Sequence, residues 1–155
     1  MTTNYRDVPE LQKYIDLVEN EGKNGVKKCC KWQKKLIKFV KKCFENENLT
    51  IDTEQLKKYM GLQKYFDFEL FEWEQFVFTL HCCVFREDGL PRFPDLLIFV
   101  ARGAGKNGYL AFEDFAMISP YSNLQQYDVD ICATAEEQAR TSFDDIYNVL
   151  EKHRK

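Results

Sequence analysis

Residues 96–108 read LLIFVARGAGKNG, an apolar run followed at once by a glycine-rich turn. The run 96–100 contains no polar side chain, which is typical of a short strand buried on both faces of a sheet. Glycine in the turn permits positive φ angles and a close approach of a ligand to the backbone. The sequence therefore predicts a buried strand that leads through a tight loop into a helix.

The residues after this loop continue the pattern. A helix is predicted over 109–118, a second apolar strand over 129–133, and a capping box at Thr134 to Glu137 opens a further helix. The order strand, helix, strand, helix predicts an α/β fold with a right-handed βαβα unit of a parallel sheet. Two parallel strands do not make a stable sheet, so we expect an incomplete one.

The loop itself has the chemistry of a phosphate cradle. Backbone N–H groups at a helix N-terminus bind phosphate, and a lysine such as Lys106 adds a positive charge. The pattern departs from G-x-x-x-x-G-K-[ST] twice, with Val100 in place of the first glycine and Asn107 in place of Ser or Thr. A glycine-rich turn that happens to carry a surface lysine remains the alternative.

Upstream of the loop, residues 1–66 are predicted to be a helical region. Nine lysines and no acidic residue lie between Glu21 and Glu45. The spacing of Trp32, Leu36, Phe39, Val40 and Cys43 predicts one apolar stripe on a basic helix over 27–45. Its basic face is either a solvated surface or a contact with DNA phosphates or a partner, for which the candidates are Lys31, Lys35 and Lys42.

Composition narrows the function classes. The net charge of −3 gives no global case for nucleic-acid binding, so any such site is a local patch. No apolar run is long enough to span a bilayer, and the N-terminus lacks the features of a signal peptide. We therefore expect a cytoplasmic protein with no membrane partner.

Residues 71–150 resemble the N-terminal ATPase region of phage terminase large subunits, the motors that package viral DNA into procapsids. The matching pieces are WEQFV at 73–77, FREDGLPRF at 85–93, RGAGKNG at 102–108, DVDICAT at 128–134 and EEQA at 136–139. Terminase loops often lack the first glycine and carry an arginine within the loop. The resemblance therefore accounts for the departures from the usual pattern.

The resemblance implies an ATPase that uses ATP and Mg²⁺. Lys106 and Arg102 would act on the phosphates as the catalytic pair. Asn107 would offer an oxygen to Mg²⁺, and Gln75 would contact adenine. The phosphate-binding residues would be Gly103, Ala104, Gly105, Lys106, Asn107 and Gly108.

The same resemblance sets the expected organisation and partners. It implies a helical region over 1–66, then the first part of a P-loop ATPase domain over 67–155, truncated before its Walker B strand. A nuclease domain would follow in the whole protein, and we expect this fragment alone to be inactive. The implied partners are double-stranded DNA, the small terminase subunit, the portal protein and other large-subunit copies in a ring. The implied location is the cytoplasm of an infected or lysogenic bacterial host.

Overall fold

A computed structural model describes residues 4–21, 23 and 28–154. The described chain is mostly helical. Its α-helices are α1 (Pro9–Glu19), α2 (Lys31–Asn46), α3 (Thr53–Met60), α4 (Glu72–Cys83), α5 (Lys106–Ile118) and α6 (Glu136–Lys152). Short 3₁₀ helices cover Tyr5–Asp7, Gly61–Tyr65 and Pro120–Ser122. Two strands, β1 (Thr50–Ile51) and β2 (Val84–Phe85), pair in antiparallel register with Thr50 opposite Phe85.

The predicted α/β fold, an incomplete parallel P-loop NTPase sheet with βαβα order, is wrong. Neither 96–100 nor 129–133 is a strand, and the described residues contain no parallel pair. Leu97 and Phe99 are 93% and 99% exposed, whereas the prediction required both to be buried. A strand exists only when a neighbour supplies backbone donors and acceptors, and no described residue does so for these runs.

The helices follow the sequence pattern more closely. Asp52 before Thr53, Glu54 and Gln55 is a capping-box pattern and Gly61 is a C-cap signal, which together predict a helix over 53–60, and α3 has these bounds. α5 begins at Lys106, three residues before the predicted start at 109, because Gly105 serves as its N-cap. The helical spacing of Trp73, Phe76, Val77, Leu80 and Val84 predicts a helix over about 71–85. The observed helix ends at Cys83, since Val84 and Phe85 pair with β1 instead.

The chain divides into two compact units that alternate along the sequence, whereas the sequence prediction placed one boundary between 66 and 67. The first unit consists of Met1–Thr53 and Glu72–Leu96. Its core forms where α1 packs on α4, with the rings of Tyr14 and Phe76 5.0 Å apart between centroids. Leu11, Ile15 and Phe76 are almost fully buried there.

In the same unit, α2 buries only part of the predicted stripe. Ile37, Val40 and Cys43 are its buried residues, and the last two were predicted to be so. Trp32, Leu36 and Phe39 are 64%, 36% and 50% exposed, so the predicted single stripe is wrong for these three residues. The helix carries two apolar stripes, and the body of the unit buries only one of them.

The second unit consists of Glu54–Phe71 and Leu97–Lys155. α5 packs against α6, and Tyr109, Phe112 and Ala116 of α5 are fully buried. The ring of Phe66 lies 5.8 Å from that of Phe112 and 5.5 Å from that of Phe115, between centroids. An aromatic cluster therefore anchors α5 to the segment that follows α3.

No helix among the described residues combines the length and the apolar character that crossing a membrane requires.

Candidate phosphate-binding loop

Residues 101–105 form a tight loop that depends on two glycines. Gly103 has φ +81° and Gly105 has φ +91°, both in the left-handed region that side chains with a Cβ rarely adopt. The amide of Ala104 donates to the carbonyl oxygen of Ala101 at 3.3 Å, which closes the turn. The sequence places glycine at the two positions where the backbone needs it.

The loop delivers the chain directly into the N-terminus of α5. Gly105 is the N-cap, and no side chain caps this end of the helix. The first helical hydrogen bond runs from the amide of Tyr109 to the carbonyl oxygen of Gly105, at 3.1 Å. The amides of residues 106–108 precede that bond and have no partner within the helix. These amides and the positive end of the helix dipole favour an anion at this position.

Two cationic side chains accompany these amides. Lys106 is the first residue of α5 and Arg102 lies in the loop, and both are exposed. Neither forms an ion pair within the part of the chain that the structure describes. The Lys106 ammonium donates to Oδ1 of Asn107 at 2.9 Å. The loop therefore offers uncompensated positive charge beside backbone donors.

The helix behind the loop is held in place by the aromatic cluster. A Cβ at Gly108 would stand 3.2 Å from the Phe68 ring, so glycine allows the first turn of α5 to approach that ring. Tyr109 and Phe112, on the next turn, are fully buried. This packing holds the first turn of α5 against the unit without a preceding strand.

The residues predicted to form the phosphate site are contiguous and lie in this loop and the first turn of α5. They are Arg102, Gly103, Ala104, Gly105, Lys106, Asn107 and Gly108. Gln75, the predicted adenine contact, lies half-buried on α4 in the other unit. The backbone carbonyl oxygen of Gln75 accepts a hydrogen bond from the Thr79 hydroxyl at 2.7 Å. Its role stays a prediction.

The residues of the loop and of the first turn of α5 are better suited to bind a phosphate than to bind a metal ion that arrives without a nucleotide. Positive-φ glycines, uncapped amides and two cations form a donor set for anionic oxygen. For Mg²⁺ the loop provides the amide oxygen of Asn107, which already accepts from Lys106. Across the described residues, no group of three or more His, Cys, Asp or Glu side chains is placed to hold a metal. Mg²⁺ would therefore arrive with the nucleotide and find one candidate ligand here.

The predicted DNA contacts Lys31, Lys35 and Lys42 are all exposed on α2. Lys27, the first residue of the predicted basic helix, lies outside the described residues. The Lys31 and Lys35 ammonium groups stand 5.3 and 4.7 Å from the centroid of the Trp32 ring. The structure therefore adds an exposed apolar surface beside these lysines, which the sequence prediction had assigned to the core.

Sequence reasoning missed an ion pair in the first unit. The Arg92 guanidinium contacts Glu47 with two nitrogens, and its Nη2 lies 2.9 Å from Oε1 of that carboxylate. This interaction lowers the pKa of Glu47 and raises the pKa of Arg92. Forty-five residues separate the two side chains, so no local pattern signals the pair.

Comparisons of the chain with protein-family models, with curated proteins and with solved structures find no match.

Proposed function

We propose that residues 101–108 bind the phosphates of ATP, and that the chain is the N-terminal part of a phage terminase large subunit. In the whole motor, ATP hydrolysis would drive viral DNA into a procapsid. The observation that carries the proposal is the pair of positive-φ glycines leading into the uncapped N-terminus of α5, with Lys106 at the first helical position.

Each group of the loop has a distinct task in this proposal. The first-turn amides of α5 hold phosphate oxygens, while the Lys106 ammonium reaches the outer phosphates as a point charge. Arg102 stabilises the negative charge that builds up on the transferred phosphoryl group. Mg²⁺, when bound with ATP, neutralises charge between the outer phosphates, and Asn107 is the residue that would contact it.

The proposal rests on the loop and on the resemblance of 71–150 to terminases. ATPase activity in this chain alone is not expected, because residues 106–155 hold no counterpart of the family's strand with paired carboxylates that bind Mg²⁺ and activate water. The partners that follow from the proposal are double-stranded DNA, the small terminase subunit, the portal protein and other large-subunit copies. The cytoplasm of a bacterial host is the location that the same proposal assigns.

Calorimetric titration of the chain with Mg²⁺-ATP and with Mg²⁺-ADP tests the proposal. Lys106→Ala removes a charge-assisted contact, which is typically about 1.5–3 kcal/mol and therefore about 10- to 100-fold in affinity. Lys58→Ala is the matched control, because Lys58 is an exposed lysine on α3 in the same unit. Arg102→Ala is expected to weaken ATP more than ADP, since its partner is the terminal phosphate.

Two results would contradict the proposal. One is a wild-type chain that binds neither nucleotide at millimolar concentration. The other is equal affinity in Lys106→Ala and Lys58→Ala, which would show that the loop lysine contacts no phosphate.

A second candidate function is non-enzymatic, an interaction module that uses the basic helix α2. The observation that favours it is the exposed apolar surface of Trp32 and Phe39 beside lysines. DNA phosphates provide no apolar partner for such a surface, whereas protein interfaces combine aromatic residues with a charged rim. Neutralising Lys31, Lys35 and Lys42 tests the DNA version, which predicts weaker duplex binding with a flatter salt dependence.

A further inference from the structure

One face of α2 carries an apolar stripe that the first unit covers only in part, with the rings of Phe39 and Phe93 6.4 Å apart between centroids. Trp32, Leu36 and Phe39 are 64%, 36% and 50% exposed, and they are spaced by four and then three residues along the helix. Lys35 and Lys42 flank this stripe on one side. We call these five residues the α2 face.

The lysines of the α2 face differ from their neighbours on the same helix. Lys34 and Lys41 form ion pairs with Glu21 and Glu19, on the side of α2 that turns toward α1. Lys35 and Lys42 form no ion pair with any residue that the structure describes. Their charge is therefore available to a partner at the edge of the apolar stripe.

Helix α6 of the second unit carries a stripe with the same spacing and the opposite charge. Phe143, Tyr147 and Leu150 are 55%, 51% and 51% exposed, again spaced by four and then three residues. Asp144 and Glu151 are exposed beside them. We call these five residues the α6 face. The opposite side of α6, with Ser142, Ile146 and Val149, is buried.

The two faces match in handedness as well as in charge. Successive residues are rotated by about 100° around a helix axis. On α2 the lysines lie roughly 80° from the apolar stripe against the direction in which the chain winds, whereas on α6 the acids lie roughly 80° from the stripe in that direction. When the helices face each other in parallel, both charged flanks lie on the same side. An antiparallel pairing would place them on opposite sides.

The axial positions of the charges agree with the parallel pairing. Aligning Trp32 with Phe143 places Lys35 two residues, about 3 Å, beyond Asp144 along the axis. Lys42 stands in the same relation to Glu151, because both charged pairs are seven residues apart. A lysine side chain spans an offset of that size.

We propose that the α2 face binds the α6 face of a second copy of this chain, in parallel, with Lys35 beside Asp144 and Lys42 beside Glu151. The contact is head-to-tail, so each copy uses one face of each kind and association continues beyond a dimer. Two helix faces bury less than the roughly 1,600 Å² of a standard stable complex. We therefore expect association that depends on concentration.

Sedimentation equilibrium at chain concentrations up to about 1 mM measures how the average mass rises with concentration, as expected for a weak contact. Two charge-reversed variants test the interface. One variant is Lys35→Glu with Lys42→Glu, and the other is Asp144→Lys with Glu151→Lys. In each variant alone, the α2 face and the α6 face carry charges of the same sign. Each is therefore expected to associate at least about tenfold more weakly than the wild type. An equal mixture of the two restores opposite charges at every contact between unlike variants and is expected to regain association.

A matched control reverses charge elsewhere. Lys13→Glu with Lys58→Glu makes the same change in net charge as Lys35→Glu with Lys42→Glu, at exposed positions on α1 and α3, and it is expected to associate as the wild type does. Circular dichroism of each variant verifies that the helices are retained.

A wild-type chain that stays monomeric at about 1 mM would overturn the proposal, given the weak association expected of a small interface. A mixture of the two reversed variants that fails to associate, or a control that loses association equally, would do the same. Duplex DNA binding that Lys35→Glu with Lys42→Glu abolishes in such a monomer would assign the α2 face to nucleic acid instead.

Discussion

Replacing Gly103 by alanine isolates the backbone conformation on which the candidate phosphate-binding loop depends. A Cβ at this position would meet no atom within 4 Å, so the substitution introduces no clash. The φ of +81° is the only obstacle, and left-handed backbone costs a residue with a Cβ about 1–2 kcal/mol. We expect Gly103→Ala to lower the free energy of unfolding by that amount and to weaken nucleotide binding.

Two other glycines provide matched controls. Gly89 has the same φ of +81° and the same open surroundings, but it lies in the first unit. Gly89→Ala is therefore expected to cost a similar free energy without changing nucleotide affinity. Gly61 has open surroundings and no positive φ, so Gly61→Ala is expected to be neutral or to stabilise by up to about 1 kcal/mol.

Urea denaturation followed by circular dichroism measures the free energies, and calorimetry measures nucleotide affinity. If Gly103→Ala matched Gly61→Ala in both stability and affinity, the loop would not require left-handed backbone at residue 103. The reasoning from loop geometry to phosphate binding would then fail.

Further predictions concern the first unit and the cysteines. The pKa of Glu47 is lowered by Arg92, so the stability it contributes is present above its unfolded pKa and is lost as pH falls through its folded pKa. Glu47→Gln should therefore cost about 0.2–1 kcal/mol at neutral pH and nothing in strong acid, as urea titrations at both pH values would reveal. A pH-independent cost would contradict the ion-pair account. Burial raises the pKa of Cys83 to about 12, whereas Cys132 is exposed. Iodoacetamide at mildly alkaline pH should label the exposed Cys30 and Cys132 first and Cys83 only after unfolding, and mass spectrometry of native protein labelled at Cys83 would refute its burial.

The sequence predicted the helices well because their signals are local. Thr53 to Met60 lie between Asp52 and Gly61, and α3 has those bounds in the structure. The start of α5 was placed too late because the predicted pattern counted apolar residues, whereas the helix begins at its glycine cap. Local chemistry of this kind needs no knowledge of distant residues.

The predicted strands failed because an apolar run does not specify its hydrogen-bonding partner. Residues 96–100 have the composition of a buried strand, but pairing depends on residues far along the chain. Val84 and Phe85 show the reverse case. The sequence pattern predicted both residues to be helical, whereas pairing with Thr50 and Ile51 makes them a strand.

The surface of α2 was mispredicted because the helix holds two apolar stripes that overlap in sequence. Ile37 and Val40 belong to one stripe, and Trp32 and Phe39 belong to the other. Periodicity alone does not decide which stripe packs inward. The predicted phosphate site at 102–108 depends only on adjacent positions, and its role stays a prediction. The Arg92–Glu47 pair could not be predicted, since it depends on tertiary structure.

Segment 97–100 lies outside any strand, and we expect it to promote precipitation at high concentration. Apolar, proline-free runs with free backbone groups add strands to one another, and Leu97 and Phe99 present almost all of their surface to water. We therefore expect these few residues to limit solubility even though the chain has a net charge of −3. A single lysine in place of Phe99 should keep the protein dispersed at concentrations where the natural sequence precipitates, and it leaves the packed aromatic cluster around α5 unchanged.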